Sequence, residues 1–135
     1  GVSTLQNRTV ILSLNGNYMA AGDSYYDGLA ALGICYEDYQ KGGAWIFENG
    51  VPTLYLSGKE YSQKYPIKDG ETYVKSELHN EDREDTELIL NGKNYSFVEN
   101  GLNILIYDQD TKQVIDHAGT DIYVSFEMIR EDAAE

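Results

Sequence analysis

Two aspartates directly follow the strongest predicted strand of the chain. Residues Leu102 to Tyr107 read LNILIY, and Asp108, Asp110 and Thr111 come shortly after them. A carboxylate at the end of a buried strand can act as a nucleophile, and a second carboxylate two residues on can transfer a proton. These residue types in this order are compatible with an enzyme that transfers phosphate through an aspartate.

The order of these residues resembles the nucleophile motif of haloacid dehalogenase-type phosphatases. Such enzymes also place a phosphate-binding hydroxyl, a lysine and a later pair of carboxylates on successive parallel strands, but few residues follow Thr111 in this sequence. The alternative is a hairpin turn closed by aspartates, which commonly hydrogen-bond the backbone a few residues on. We expect the hairpin turn and keep a phosphotransfer enzyme that uses Asp108 and Asp110 as a remote alternative.

The remaining titratable residues predict no catalytic or metal site. The aspartates around the turn do not form an EF-hand, because its loop glycine and its last glutamate are missing. His79 and His117 are the only histidines and Cys35 is the only cysteine, so there is no zinc-ligand spacing and no internal disulfide. We therefore predict a non-catalytic domain that has no cofactor and no metal site, with Cys35 as a small core residue.

The charge of the chain argues against several classes of partner. Ten Lys and Arg residues against 23 Asp and Glu residues give a net charge of -13, which repels phosphate backbones and anionic lipid head groups. We expect no nucleic-acid partner and no membrane insertion, since no apolar run approaches the roughly 18 residues of a membrane helix. The 135 residues fit a single domain, 1–135, and the twelve tyrosines favour a folded body that uses tyrosine in contacts.

Strands dominate the predicted secondary structure, so the expected class is α+β, with mostly antiparallel β-sheets packed as a sandwich-like core and one or two short helices. The helical spacing runs from Ser24 to Leu32 and stops at Gly33. The region from Pro52 to Pro66 is predicted as a loop-rich connection, and Glu77 to Glu87 as a solvated loop. The predicted strands are Arg8 to Leu14, Ala44 to Phe47, Thr53 to Leu56, Glu71 to Lys75, Leu88 to Leu90, Tyr95 to Val98, Leu102 to Tyr107, Val114 to Ile115 and Ile122 to Arg130.

Short motifs in two segments carry a family resemblance. The segment Asn100 to Tyr123 contains Gly-Leu-Asn before an apolar strand, then Val-Ile-Asp and then Asp-Ile-Tyr. With it, residues 88–123 resemble the first half of the interleukin-like EMT inducer (ILEI) domain. Residues 9–50 run from an apolar strand through a polar turn, a short helix and Leu-Gly to a tryptophan strand, and are similar to the second half.

The two halves stand in reversed order, so the resemblance implies a circularly permuted ILEI-like domain in which residues 51–85 are the connection. A chain that crosses two tandem copies, or chance similarity between short strands, is the alternative. The family implies two antiparallel sheets with short helices. It occurs in secreted cytokine-like proteins, beside bacterial surface-polysaccharide enzymes, and in the stem of the transferase that extends O-linked mannose, where it binds carbohydrate. An extracytoplasmic or secreted location follows from the resemblance.

This sequence departs from the family pattern at three places that bear on a site. Asn100 replaces an arginine, Gly42-Gly43 replaces Arg-Asp, and Asn17 replaces an aspartate. The asparagine amides can still hydrogen-bond sugar hydroxyls. The two glycines, which precede a tryptophan strand, are expected to let backbone or a ligand approach closely.

We therefore expect a non-catalytic carbohydrate-binding or surface-recognition domain, accessory to a cell-surface or polysaccharide-related protein. The alternative is a structural or protein-interaction module without a small ligand, which predicts a tyrosine-rich patch on the outside of a sheet. For Trp45 core packing is the alternative to ligand contact, and for Asp121 a turn or cap. The oligomeric state stays open. The candidate ligand-binding residues are Asn17, Tyr18, Trp45, Asn100, Asp121 and Tyr123.

Overall fold

The computed structural model describes residues 6–15, 26–58, 60–79, 83–96, 101–120 and 128–131. Within these ranges the chain forms antiparallel β-sheets with two short helices, which confirms the predicted α+β class. In chain order the elements are β1 (Arg8–Asn15), α1 (Tyr26–Ala30), α2 (Tyr36–Lys41), β2 (Gly43–Glu48), β3 (Val51–Ser57), β4 (Tyr61–Ile67), β5 (Gly70–His79), β6 (Arg83–Leu90), β7 (Lys93–Asn94), β8 (Gly101–Asp108), β9 (Gln113–Thr120) and β10 (Met128–Glu131).

The strands are divided between two sheets. The first sheet has the order β10-β9-β8-β1-β2-β3, and the second has the order β4-β5-β6-β7. At the centre of the first sheet β1 and β8 are antiparallel neighbours, with Thr9 opposite Tyr107 and Asn15 opposite Gly101. The two ends of the described chain therefore share one sheet, and the second sheet is built from the segment between them.

The central strand β1 is buried on both of its faces. Val10, Leu12 and Leu14 pack with core residues of the helical region, whereas Ile11 packs with the second sheet. A strand that is covered on both faces has apolar residues at nearly every position, and this apolar run is why β1 could be predicted from the sequence. The result is three layers, with the first sheet between the helices and the second sheet.

Tyrosine hydroxyls link the second sheet to the first. The Tyr61 hydroxyl on β4 donates to the Gly43 carbonyl oxygen at 3.4 Å, and the Tyr65 hydroxyl donates to the Thr53 carbonyl oxygen at 3.2 Å. Both rings pack against the core between the sheets. We call Tyr61 and Tyr65 the linking tyrosines, because each buries an apolar ring while its polar tip bonds the opposite sheet.

The helical region is divided differently from the prediction. The spacing predicts one helix from Ser24 to Leu32, but α1 covers only Tyr26–Ala30 of the described residues, and Tyr36–Lys41 forms a second helix. Gly33, with a φ of 95°, ends the first helical segment as predicted. The prediction that Cys35 is a core residue is wrong. It occupies the extended N-cap position of α2, where its side chain is exposed.

The segment predicted as a loop-rich connection is mainly strand, so that prediction is wrong, although the strand predicted within it from Thr53 to Leu56 is present as part of β3. Pro52 lies in β3 and Pro66 in β4, which are edge strands of their sheets and therefore tolerate a missing N–H. The solvated loop predicted from Glu77 to Glu87 is also wrong in part, because β5 extends to His79 and β6 begins at Arg83. Charged residues fit these strands because alternate side chains point away from the core.

Two other predicted strands correspond only partly to the structure. Tyr95 and Ser96, the described part of the strand predicted to end at Val98, follow β7 without regular secondary structure. Of the predicted strand from Ile122 to Arg130, the described residues 128–130 belong to β10, and the others lie outside the described residues.

Candidate functional site

Of the six predicted ligand residues, the structure describes Trp45. Its side chain is 3% exposed, and its ring stacks on Tyr55 with centroids 4.8 Å apart and an interplanar angle of 13°. This is the core packing that was the alternative for Trp45. The other five lie outside the described residues: Asn17, Tyr18, Asn100, Asp121 and Tyr123.

The strands that lead to those five residues end beside one another. Asn15, the last residue of β1, lies opposite Gly101, the first residue of β8. Leu102 in turn lies opposite Thr120, the last residue of β9. Three chain segments that carry predicted ligand residues therefore leave the first sheet from neighbouring points. A shared site at this end of the sheet stays a prediction.

The aspartates of the phosphotransfer hypothesis close a hairpin turn. Asp108 Oδ1 accepts hydrogen bonds from the backbone N–H groups of Asp110 at 2.8 Å and Thr111 at 3.1 Å. Lys112 completes the turn with a φ of 58°. Both neighbours of β8 run antiparallel to it, whereas the enzyme would need parallel strands. The predicted hairpin turn is present, and the carboxylate that would attack phosphorus bonds the backbone of that turn.

The Gly42-Gly43 pair serves a backbone contact. The backbone φ at Gly43 is 144°, and a Cβ added there would clash with the carbonyl oxygen of Leu56 on β3. Gly42, with a φ of 75°, ends α2. The sequence analysis expected either backbone or a ligand to come close to these glycines. In the structure it is the backbone of β3.

His117 packs between the sheets near the end of β7. Its Nε2 lies within hydrogen-bonding distance of the Tyr95 carbonyl oxygen, and its ring lies edge-on to the Tyr95 ring at 5.0 Å. Over the described ranges, no cluster of three or more His, Cys, Asp or Glu side chains is arranged to hold a metal ion. No helix in the same ranges has the length and apolar character needed to cross a membrane.

The outward face of the second sheet displays a tyrosine among charged residues. In β5, Thr72, Val74 and Ser76 are buried against the first sheet. Because side chains alternate along a strand, Tyr73 and Lys75 point away from the core. Both are partly exposed.

The ring of Tyr73 lies across this face. Its hydroxyl is 2.7 Å from Ser62 Oγ on β4. Lys64 is directly opposite Tyr73 and Ser62 is opposite Lys75, so Ser62 is the diagonal neighbour of Tyr73. A serine oxygen stays near the backbone, and a tyrosine that stood upright on the sheet could not reach it. The ring therefore leans from β5 towards β4 on the outward face of the second sheet, where it is partly exposed.

A row of side chains crosses all four strands at Tyr73. Lys64 on β4 is opposite Tyr73 on β5, Tyr73 is opposite Ile89 on β6, and Ile89 is opposite Asn94 on β7. We call these four residues the Tyr73 row. The row is apolar at its centre and polar at both ends. It spans three strand spacings, or about 14 Å.

A second row, made only of polar residues, runs beside the first. Ser62, Lys75 and Glu87 lie opposite one another on β4, β5 and β6, and we call them the polar row. Lys75 Nζ is 3.5 Å from a carboxylate oxygen of Glu77, and Glu77 followed by Glu87 raises the pKa of the Lys75 ammonium. The positive charge in the middle of the polar row is therefore compensated by carboxylates.

Another aromatic surface lies on the helices. The rings of Tyr26, Tyr36 and Tyr39 have centroid separations between 5.2 and 5.9 Å. Tyr39 is buried, whereas Tyr36 is 39% exposed. The protein-interaction hypothesis predicts a tyrosine-rich patch, and this one lies on the helix layer and not on the outside of a sheet.

Tyr73 and Ser62 are candidate site residues that the sequence analysis did not identify. The alternation of Thr72, Tyr73, Val74 and Lys75 was the available signal, since it places Tyr73 on the polar side of a strand. Comparisons of the chain with protein-family models, with curated proteins and with solved structures found no match.

Proposed function

We propose that this protein is a non-catalytic carbohydrate-binding domain in which a sugar ring stacks on Tyr73. The observation that carries the proposal is the hydrogen bond of 2.7 Å between the Tyr73 hydroxyl and Ser62 Oγ. It directs a partly exposed aromatic ring across the outward face of the second sheet, where the ring can contact the apolar face of a sugar. A ring that is biased towards this direction before binding loses less conformational entropy when the ligand arrives.

The surrounding side chains supply hydrogen-bonding groups for sugar hydroxyls. Lys64 and Asn94 are exposed at the two ends of the Tyr73 row. Lys75 and Glu87 lie along its side in the polar row. Ammonium groups donate and carboxylates accept. The Oδ1 atom of Asn94 already accepts the backbone N–H groups of Leu88 and Ser96, so Asn94 offers its amide NH2 group as a donor.

We further propose that the chain is a circularly permuted relative of the ILEI domain, accessory to a cell-surface or polysaccharide-related protein outside the cytoplasm. The pairing of β1 with β8 supports this, because residues 9–50 and 88–123 contribute adjacent strands to one sheet. In this proposal the second sheet arises largely from the connection between the halves. A site of the family type would lie at the end of the first sheet, apart from Tyr73.

A glycan array with the purified domain tests the function. We expect saturable binding that Tyr73→Ala weakens roughly tenfold or more, which corresponds to about 1.4 kcal/mol. Tyr36→Ala is the matched control, since it removes an exposed tyrosine from the helix layer. Asn17→Ala and Asp121→Ala probe the site predicted from the resemblance. Circular dichroism confirms that each variant is folded.

Two results would contradict the assignment. If Tyr73→Ala leaves binding intact and Asn17→Ala or Asp121→Ala removes it, the site lies at the end of the first sheet. An array without any binding would remove carbohydrate recognition. The second candidate, a protein-interaction module, would then come first, and the exposed ring of Tyr36 beside Tyr26 is the observation that favours it.

A further inference from the structure

We propose that the ligand of the Tyr73 row is a neutral, unbranched glycan that lies across the strands and fills about three sugar units. This inference rests on the proposed carbohydrate-binding function. It adds the class, direction and length of the ligand.

The length follows from the spacing of the row. A pyranose unit in a linear glycan is about as long as the separation of neighbouring strands, which is about 5 Å. The row runs from Lys64 on β4 to Asn94 on β7 and so covers three such separations. The central unit lies over Tyr73 and Ile89, on the two inner strands, and the outer units lie towards the polar ends.

The direction follows from what surrounds Tyr73 on the same face. Along β5 the outward neighbours of Tyr73 are Glu71 and Lys75, each two residues away, or about 7 Å. A glycan that followed the strand would cover charged side chains on both sides of the ring and remove water from them. A glycan that crosses the strands meets Ile89 instead, so apolar contact continues beyond the tyrosine.

The same neighbours favour an unbranched chain. The polar row, with the long side chains of Lys75 and Glu87, borders the Tyr73 row on one side, and Glu71 borders it on the other. A linear glycan can direct its hydroxyls towards these groups. A branch on the central sugar unit would collide with them.

The charges of the face favour a neutral ligand. Glu71 and Glu87 border the row, Lys75 beside it is compensated by Glu77, and the whole chain carries a net charge of -13, so an acidic glycan is repelled at long range. Lys64, at one end of the row, opposes an amino sugar there. A neutral chain avoids both penalties and still uses the charged groups as hydrogen-bonding partners.

Isothermal titration with oligosaccharides of one to six units tests the proposal. The probes are neutral β-1,4-glucan, β-1,3-glucan, β-1,4-mannan and α-1,4-glucan oligomers, with galacturonate and glucosamine oligomers as the charged counterparts. For at least one neutral series we expect affinity to rise up to three units and to change less than about twofold beyond, because each further unit leaves the row. The charged oligomers bind at least tenfold more weakly.

Four variants locate the effect. Tyr73→Ala removes binding of the three-unit oligomer, and Tyr73→Phe, which keeps the ring and loses the bond to Ser62, weakens it severalfold. Lys64→Ala weakens it as well. Lys68→Ala is the matched control, since Lys68 is an exposed lysine in the turn after β4 and outside the row. It should leave the affinity unchanged.

The failures are distinguishable. The proposed length is wrong if the affinity for neutral oligomers keeps rising beyond three units, and the ligand class is wrong if a charged series binds equally well. The placement is wrong if Lys64→Ala and Lys68→Ala have equal effects. In each of these cases carbohydrate binding itself stands. Absence of binding by every oligomer, with the variants and the wild type equally inert, would overturn the inference and the proposed function together.

Discussion

At the residue scale, two glycines in this chain have opposite environments. Gly43 begins β2 with a φ of 144°, and a side chain there would clash with the carbonyl oxygen of Leu56. Gly28 lies in α1, and a Cβ added to it would have no neighbour within 4 Å. The first glycine is required by contact and by backbone conformation, and the second is not.

Gly43→Ala should lower the free energy of unfolding by about 3 kcal/mol or more, because β2 and β3 must separate to admit the methyl group. Gly28→Ala should raise it by about 0.5 to 1 kcal/mol, because alanine loses less entropy than glycine in a helix. Urea unfolding followed by circular dichroism measures both. Similar effects for the two variants would contradict the close contact at Gly43.

The position of Tyr73 on the solvent side of a strand could have been predicted, but its role could not. The sequence analysis placed a strand from Glu71 to Lys75, and alternation alone then points Tyr73 outward. The hydrogen bond to Ser62 is what directs the ring towards β4, and Ser62 falls in a region predicted as loop. A site that depends on the pairing of two strands stays hidden when one of the strands is missed.

At the element scale, the linking tyrosines join β4 to the first sheet through two hydrogen bonds to backbone carbonyls. β4 is an edge strand, with β5 as its only partner in the second sheet. Its attachment to the other layer depends on these two side chains, on the packing of their rings, and on Ile67, which is buried in the core between the sheets.

The double variant Tyr61→Phe/Tyr65→Phe should lower the free energy of unfolding by about 1 to 3 kcal/mol, since each lost hydrogen bond contributes about 0.5 to 1.5 kcal/mol. Amide exchange in β4, measured by NMR, should accelerate. Tyr73→Phe is the control, because its hydroxyl bonds within the second sheet on an exposed face. It should cost less than about 0.5 kcal/mol. Equal losses would mean that the two hydroxyls do not hold the layers together.

The elements that the sequence analysis missed share a physical cause. The hairpin of β5 and β6 is rich in charge, and the charged composition of Glu77 to Glu87 masks an alternation that continues into the apolar end of β6, in which Thr86 and Leu88 face the core. Helix α2 has a polar sequence with Tyr39 as its buried residue, so tertiary packing and not helical spacing holds it. The strand β8 and its turn were predictable because the apolar run and the aspartate turn carry local signals.

At the scale of the whole molecule, the deprotonation of tyrosines limits stability at high pH, because their pKa values are raised in the folded protein. Tyr107 lies between the sheets, and its burial, followed by the nearby carboxylate of Asp69, raises the pKa of its phenol above the ordinary value of 10. Burial likewise raises the pKa of Tyr55. A raised folded pKa means that the unfolded chain releases its protons first as the pH increases.

The contribution of these tyrosines to stability should therefore be complete below pH 10 and fall as the pH rises from 10 through the folded pKa. Urea unfolding at a series of pH values measures the decline. Tyr107→Phe should make the decline shallower, and Tyr36→Phe, which alters an exposed ring, should not. An unchanged slope in Tyr107→Phe would contradict a buried neutral phenol at this position.

The pairing of β1 with β8 also has a consequence for biosynthesis. Arg8 lies opposite Asp108, so the strand at the centre of the first sheet meets one neighbour only after about 100 more residues have been made. At translation rates of about 5 to 20 residues per second, this delay is roughly 5 to 20 s. During that time β1 can pair with β2 on one side, and the local hairpins of the second sheet can already form, but the other edge of β1 lacks its neighbour. The edge of β1 that faces β8 therefore finds its partner later in synthesis than any hairpin of the second sheet does.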